Sequence, residues 1–182
     1  MVTILQSDNP ILRKKAKEVS LSDIGTKKFE GYIRDMQTAL HAEDDGVAIA
    51  APQIGLPLRI FIVSGKIFDK NFLKAKGPIK EPKAGWPDDL ICINPTFVKM
   101  SKQKVTAPEG CLSVRWLYGD TKRAKNATIE AYDRYGKKFT RGGGGLLAQI
   151  FQHEMDHLDG ILFIDHAKNI EEILPKHNEE TE

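Results

Sequence analysis

Two histidines and a glutamate near the C-terminal end of the sequence have the spacing of a metal site. His153 and His157 are four residues apart, so a helix would place both imidazoles on one face, one turn apart. Glu154 follows the first histidine and flanks the same face. Two neutral imidazoles can bind a divalent metal, and the carboxylate can take a proton from a water that the metal holds. The segment predicts a metal-dependent hydrolase.

The residues before this segment predict that its helix is buried. Apolar side chains precede the histidines at helical spacing, namely Leu146, Leu147, Ile150 and Phe151. We expect a helix over residues 146–158 that ends at Gly160, a residue suited to a C-terminal cap. Buried histidine and glutamate side chains need partners, which favours a metal site over a pattern on a solvated face.

A metal hydrolase of this kind needs a third protein ligand. The metzincin extension would require histidine at position 163, where this sequence has Phe163. A glutamate about 20 residues downstream would be Glu179 or Glu180, in a terminal tail that suits a rigid ligand poorly. The remaining soft ligand is Cys111, whose thiolate beside a glycine suits a borderline or soft divalent ion.

The other histidines and the second cysteine are interpreted as structural. His41 lies near the end of a predicted helix, and His166 and His177 are expected at the surface. Cys92 lies in an apolar run and is expected to be a core thiol. Two cysteines are too few for a disulfide framework.

Three segments together resemble the peptide deformylase family. Residues 46–53 are similar to its first motif, residues 109–113 match its second, and residues 152–160 match its third, in the same order. The similarity extends through Asn94-Pro95, Arg123-Ala124 and residues 133–136, and it covers nearly the whole chain. These enzymes remove the formyl group from the N-terminal methionine of new bacterial-type proteins.

The resemblance implies a metal centre formed by Cys111, His153 and His157, with water as the fourth ligand. It implies Fe(II) as the working ion, with Ni, Co or Zn able to substitute. Glu154 would be the general base, and then the acid that protonates the leaving amine.

The resemblance also implies how a substrate is held. The oxyanion would form against the metal, the Gln53 side-chain amide and the Leu112 backbone N–H. Gly46 would offer backbone groups to the substrate chain, and Ile150 would line the methionine pocket with its apolar neighbours. Gln152 and Asp156 would be packing groups around the metal ligands.

Several positions depart from the family pattern on the substrate side. Ala48 stands where the first motif usually has glycine, and Arg115 stands where proline often follows the second motif. Trp116-Leu117-Tyr118 borders the expected cleft, and Gln149 replaces an arginine or apolar residue. These changes leave the metal chemistry in place and bear on substrate preference. The long segment 65–90 also bears on substrate preference.

The pattern of elements predicts an α+β fold in one catalytic domain over residues 1–182. We expect antiparallel sheets packed around a central helix that carries the histidines, with N-terminal helices and a short C-terminal helix. A short helix is predicted to start at Asn9-Pro10, and further helices are predicted over 26–43 and 169–174. Strands are predicted at 58–63, 90–95, 127–132, 137–140 and 161–164. Small residues at 46–53 predict a tight loop, Gly- and Pro-rich residues 65–90 an irregular loop, and Gly142–Gly145 a chain break.

The composition limits the classes of partner that the protein is expected to bind. The net charge is +2, so nothing demands nucleic acid, and no apolar run reaches the roughly 20 residues of a membrane span. The Lys-rich stretch from Lys66 to Lys83 is interpreted as a solvated loop. The N-terminus has no signal pattern, which predicts a cytoplasmic protein. The implied partners are nascent formyl-Met peptides, with transient proximity to ribosomes.

Two other functions stay open from the sequence. One is a related metal amidase with a shifted acyl or peptide preference, for which the region from Arg115 to Tyr118 would be decisive. The other is a non-catalytic relative that binds peptides without turnover. Retention of Glu154, Gln53 and the three ligands argues against the second, because drift usually removes one of them.

Overall fold

Two antiparallel sheets and two α-helices make up the part of the chain that the computed structural model describes, residues 2–69, 72 and 87–175. The order is α1 (Lys27–His41), β1 (Ala48–Ala50), β2 (Ile60–Val63), β3 (Leu90–Met100), β4 (Lys104–Gly110), β5 (Leu117–Ala124), β6 (Asn126–Tyr132), β7 (Lys138–Gly144), α2 (Gly145–Leu158) and β8 (Lys168–Glu172). One sheet has the order β1-β2-β3-β6-β7 and the other β4-β5-β8. Short 3-10 helices lie at Pro10–Arg13, Leu21–Asp23, Ala51–Ile54, Gly65–Phe68 and Phe163–Asp165.

The larger sheet separates the two α-helices. In β2, Phe61 and Val63 pack in the cluster that includes α2, whereas Ile60 and Ile62 pack in the cluster that includes α1. Successive side chains of a strand point to opposite faces, so a strand covered on both faces is apolar throughout. The α+β fold with antiparallel sheets is therefore confirmed, with the histidine helix buried against the sheet.

Both N-terminal helices are confirmed, and their first turns explain where they begin. Asn9 accepts a hydrogen bond from the Ile11 N–H at the start of Pro10–Arg13. Thr26 accepts one from the Phe29 N–H at the start of α1. α1 ends at His41, two residues before the predicted end, and buries one face, formed by Phe29, Ile33, Met36, Ala39 and Leu40.

The central helix is also confirmed, one residue longer than predicted at its start. α2 packs against strands of both sheets, and Phe151 and Leu158 are fully buried. The chain turns after Asp159 through Gly160, whose φ of +77° lies in the left-handed region that favours glycine.

The small sheet was missed by the sequence analysis, and one of its strands corrects a prediction. Residues 169–174 are not a helix: β8 pairs antiparallel with β5, with Leu117 opposite Glu172 and Tyr118 opposite Glu171. Pairing with β8 satisfies the backbone hydrogen-bonding groups of β5 on that side.

Two further predictions near α2 are wrong. Residues 161–164 are not a strand, because the chain turns in the 3-10 helix Phe163–Asp165, where Asp165 accepts a hydrogen bond from the Leu162 N–H. The glycines do not break the chain before the helix, because β7 runs through Gly144 in register with β6. A Cβ at Gly143 would lie 2.6 Å from Leu147 Cγ, so this glycine lets the helix follow the strand directly.

The predicted loop 46–53 is partly regular structure. Its small residues form β1 on β2, with Ala48 opposite Val63, and then the 3-10 helix Ala51–Ile54. The strand predicted at 90–95 continues to Met100 past an irregularity in its pairing with β6. There Asn94 has a φ of +49°, and its amide makes hydrogen bonds with the Val19 N–H and C=O.

The predicted loop 65–90 is described only at its ends. It begins with the 3-10 helix Gly65–Phe68, and residues 70, 71 and 73–86, with the other lysines of the Lys-rich stretch, lie outside the described residues. Lys66 itself is not solvated as predicted, since it is buried and donates to the Asp44 carbonyl at 3.1 Å.

One other prediction has a clear outcome. Cys92 is a core thiol as predicted, fully buried, and burial raises its pKa well above the ordinary range.

No helix among residues 2–69, 72 and 87–175 has the length and apolar character needed to cross a membrane.

Candidate metal centre and substrate cleft

Cys111, His153 and His157 converge although the cysteine is far from the histidines in sequence. Cys111 follows β4 directly, and the two histidines lie one turn apart on α2, where His157 is buried and His153 is half-buried. Cys111 Sγ lies 3.2 Å from His157 Nε2, which lies 3.2 Å from His153 Nε2. All three donor atoms lie within 4.8 Å of one another. One thiolate and two imidazoles at this separation fit a tetrahedral divalent cation with an open position.

The second ring nitrogen of His153 is held by Glu109. His153 Nδ1 lies 2.5 Å from Glu109 Oε1, and since a carboxylate accepts, Nδ1 donates; in the neutral imidazole that binds a metal, Nε2 then has the lone pair. Arg123 donates to both oxygens of Glu109, and Thr121 donates to Oε2. Burial opposes ionisation of Glu109, but the bonds from His153 and Arg123 outweigh it and hold its pKa well below its usual range.

Glu154 is a buried carboxyl beside the three donors. Its exposed fraction is 3%, and burial raises its pKa to about 7. Within the described part of the chain, Oε2 of Glu154 and Nδ1 of His157 are buried without a hydrogen-bond partner. A carboxyl with a raised pKa and a free oxygen is suited to take up and release a proton near neutral pH.

The Gln53 amide is held in one orientation. Its Oε1 accepts a hydrogen bond from the Ala50 N–H at 2.8 Å, so its Nε2 points to the opposite side. There Nε2 lies 3.0 Å from Ser113 Oγ and 3.6 Å from Cys111 Sγ. Gln53 thus places an N–H donor next to the metal donors.

A cleft of about 290 Å³ opens onto these residues, and the expected substrate-binding residues line it. Leu112 is 8% exposed, and Ile150 is 4% exposed on the apolar wall. The Gly46 N–H donates to the Glu43 carbonyl at 3.0 Å. A Cβ at Gly46 would lie 3.1 Å from Leu40 atoms, so crowding at the end of α1 also favours glycine there.

The residues that depart from the family pattern line the same cleft. Ala48, Arg115, Tyr118 and Gln149 all contribute to its walls, with Trp116 and Leu117 beside them. Gln149 Nε2 donates to the Pro108 carbonyl at 2.9 Å. The departures therefore lie along the cleft, and none of them is one of the three metal donors.

Gln152 and Asp156 tie α2 to β5, as expected of packing groups. The Gln152 amide bonds to both the N–H and the carbonyl of Ala124, and Asp156 accepts from Arg123 at 2.6 Å. His166 is exposed and contacts Asp156, as its surface assignment predicted. His41 is also at the surface, though paired with Asp89, and His177 lies outside the described residues.

Comparisons with known proteins agree with this geometry. The family model of polypeptide deformylase matches residues 1–172. The chain belongs to the polypeptide deformylase family. A peptide deformylase of Dehalococcoides mccartyi (strain CBDB1) is 34% identical over 170 residues, 93% of this chain and 88% of the relative. Peptide deformylase 1A of Arabidopsis thaliana is 35% identical over 164 residues, which cover 89% of this chain and 60% of that longer protein.

Solved deformylase structures share the fold. A plant peptide deformylase superposes with a TM-score of 0.76 at 30% identity, covering 92% of this chain and 81% of that one. A class I type b peptide deformylase from Acinetobacter baumannii, solved with Met-Ala-Ser bound, gives 0.76 at 26% identity, covering 91% and 99%. Members of this family remove the N-terminal formyl group from nascent polypeptides.

The residues that support the donors were not predicted from the sequence. Glu109 was recognised only as part of a motif, and Arg123 only as part of the similarity. Thr121 and Arg123 are two apart on β5 and so share one face, the same face on which the paired strand β4 presents Glu109. A ligand histidine usually donates its second N–H to a carboxylate, so a search for that partner among nearby acidic residues could have found Glu109.

Proposed function

We propose that the chain hydrolyses the N-terminal formyl group of newly made polypeptides that begin with formyl-methionine. The observation that carries the proposal is the convergence of Cys111, His153 and His157 beside the buried carboxyl of Glu154, at the end of a partly apolar cleft. The Met-Ala-Ser bound to the Acinetobacter baumannii relative is what deformylation of formyl-Met-Ala-Ser would leave.

The donor set fits a divalent cation. Cys111 Sγ and the Nε2 atoms of both histidines face one another, and the bond from His153 Nδ1 to Glu109 fixes the required tautomer. When bound, the cation supplies Lewis acidity, which lowers the pKa of a water and polarises the formyl carbonyl. We propose Fe(II) as the resident ion, with Ni, Co or Zn as substitutes.

Glu154 moves the protons of the reaction. Its carboxylate takes a proton from the water that attacks the formyl carbon, and it then delivers that proton to the leaving nitrogen as the C–N bond breaks. The products are formate and a peptide with a free amino group. The free oxygen of Glu154 and a pKa raised by burial to about 7 suit both halves of this transfer.

Gln53 and Leu112 stabilise the charge that develops on the formyl oxygen. The Gln53 amide is already oriented by Ala50 and Ser113, so little reorganisation is needed as the oxyanion forms. The backbone N–H of Leu112 is the second donor. The Gly46 carbonyl accepts from the substrate backbone, and Ile150 contacts the methionine side chain.

The setting of the reaction follows from its substrate. Formylated N-termini occur on chains that emerge from bacterial-type ribosomes, so we propose that the enzyme acts in the cytoplasm, in transient proximity to ribosomes. Neither nucleic acid nor a membrane is required for the hydrolysis itself.

The direct test is turnover of formyl-Met-Ala-Ser by protein prepared anaerobically with Fe(II), with metal content measured on the same sample. We expect formate release that depends on the metal, and much slower hydrolysis of acetyl-Met-Ala-Ser. Preference for the acetyl peptide would indicate a related amidase, and tight peptide binding without formate release would indicate a non-catalytic relative.

The role of Cys111 is tested separately by Cys111→Ser. A hydroxyl is a harder and poorer ligand than a thiolate, so we expect weaker metal binding and a changed order of preference among Fe, Co, Ni and Zn. Equilibrium dialysis against each metal measures both. Cys92→Ser removes the other thiol and serves as the control, and unchanged metal selectivity in Cys111→Ser would point to a different third ligand.

A further inference from the structure

Arg115 forms an ionic bridge across the mouth of the cleft. Its guanidinium donates to both oxygens of Asp45, at 2.6 and 3.1 Å, and to Glu43 at 2.6 Å. It also stacks on the Trp116 ring, 4.7 Å from the centroid. Arg115 follows the Cys111 segment and the carboxylates precede Gly46, so the bridge joins the two walls between which a substrate would lie.

The bridge leaves the mouth with an excess of negative charge. Among the described residues, Asp44 next to the bridge is exposed, and Lys66 is buried and donates to the Asp44 carbonyl. Arg115, Lys66 and the carboxylates Glu43, Asp44 and Asp45 together have a net charge of −1. The exposed Glu171 and Glu172 of β8, which pair with Tyr118 and Leu117 of the cleft, add further negative charge. The Asp45 side chain is 51% exposed, so its field reaches a peptide in the cleft.

The position of the bridge relative to the donors determines which part of a substrate it meets. Cys111, His153 and Glu154 line the cleft together with Ile150, and the bridge residues Asp45 and Arg115 line it as well. With the formyl group at the donors and the methionine side chain on that wall, the peptide continues along Gly46. Asp45 is the next residue, opposite Arg115.

We propose that the bridge of Arg115 with Asp45 and Glu43 is a specificity determinant that selects peptides with basic rather than acidic residues after the methionine. The inference rests on the proposed deformylase function and concerns the same cleft. Arg115 limits this preference, because its positive charge neutralises one of the two carboxylates with which it pairs.

The first test compares three peptides on the metal-loaded enzyme: formyl-Met-Lys-Lys-amide, formyl-Met-Gln-Gln-amide and formyl-Met-Glu-Glu-amide. We expect kcat/KM to fall in that order, with a span of about tenfold at low ionic strength that shrinks at high salt. Equal values for the three peptides would overturn the inference. No turnover of any of them would overturn the proposed function, and the inference with it.

The second test changes the charge of the mouth in both directions. Arg115→Gln takes the net charge from −1 to −2, so the ratio of the Lys to the Glu peptide should rise by about threefold. Glu43→Gln with Asp45→Asn takes the charge of the same group of residues to +1, so the preference for the Lys peptide should be lost. Because each ratio is internal to one variant, a general loss of activity does not alter it.

A matched control separates the bridge from the overall charge of the protein. Lys138→Gln removes one positive charge from an exposed ion pair with Glu130 on the far strands β6 and β7. It changes the net charge by the same amount as Arg115→Gln, and we expect the wild-type peptide ratio. If Lys138→Gln moves the ratio as much as Arg115→Gln does, the bridge is not the determinant.

Discussion

At the scale of single residues, the site depends on how Glu109 holds His153. The carboxylate accepts from His153 Nδ1 and is itself held by Arg123 and Thr121. This chain of bonds turns the imidazole so that Nε2 faces Cys111 and His157. The metal donors are therefore positioned by residues of β4 and β5, which the sequence pattern did not identify as strands.

Replacing Glu109 with glutamine tests this positioning. Glu109→Gln keeps the shape but removes the charge that fixes the His153 tautomer, so we expect metal affinity to fall by about 10- to 100-fold. Competition with a chelator measures the affinity. Glu130→Gln, on an exposed carboxylate paired with Lys138, should leave it unchanged. Wild-type affinity in Glu109→Gln would mean that the donors hold their geometry without this bond.

At the scale of elements, the C-terminal end of α2 is fixed by a close approach of backbone. A Cβ on Gly160 would lie 2.8 Å from the Arg13 carbonyl carbon and oxygen, which belong to the Pro10–Arg13 turn. The Ala16 N–H also donates to the Leu158 carbonyl at 2.9 Å. The N-terminal segment thus packs on the end of the helix that carries the histidines.

Gly160→Ala should therefore cost more stability than the same change at Gly136. The two glycines have φ of +77° and +76°, so the backbone strain is alike, but the nearest atom to a Cβ at Gly136 is Ile24 Cγ2 at 3.9 Å. We expect a loss of about 1 kcal/mol at Gly136 and about 2–4 kcal/mol at Gly160. Urea denaturation measures both, and equal losses would show that the contact with Arg13 relaxes freely.

The helices and strands that could be predicted from the sequence were those in which apolar residues recur at a regular spacing or run continuously. α1 and α2 have continuous buried faces, and β2 is apolar throughout. β4 and β5 lack such a pattern because their inward positions hold Glu109, Thr121 and Arg123, the polar network of the site. The donors could be predicted because their motifs are local, whereas the supporting residues act only through pairing between strands.

The C-terminal error has a related cause. Residues 168–172 are exposed throughout, and their conformation is set by hydrogen bonds to β5 rather than by burial of side chains. The local sequence of this segment could not reveal an edge strand, because its partner strand β5 had not been predicted either. Tertiary pairing outweighed the local pattern in this segment.

At the scale of the whole molecule, the His41–Asp89 pair links α1 to the start of β3. The hydrogen bond that His41 donates to Asp89 raises the pKa of His41 above its ordinary value, more than burial lowers it. A raised pKa in the folded state means that the stabilising contribution is complete at acidic pH and is lost as pH rises through the folded-state pKa. The pair is partly exposed, so its contribution should be below about 1 kcal/mol.

His41→Gln tests this dependence on pH. The difference in free energy of unfolding between wild type and variant should be larger at pH 6 than at pH 8.5, because only the protonated histidine forms the ion pair. Urea denaturation at the two pH values provides the comparison, with the metal-free protein used throughout. A difference that grows with rising pH would contradict the assignment.

The most direct test of the account is turnover by Glu154→Gln compared with wild type at equal metal content. Glutamine has nearly the same shape but cannot take the proton from the attacking water, so the fold and the bound metal should persist. We predict that kcat/KM on formyl-Met-Ala-Ser falls by about 10²- to 10⁴-fold. Near-normal turnover by the metal-loaded variant would contradict the assignment of Glu154 as the base, and with it the proposed mechanism.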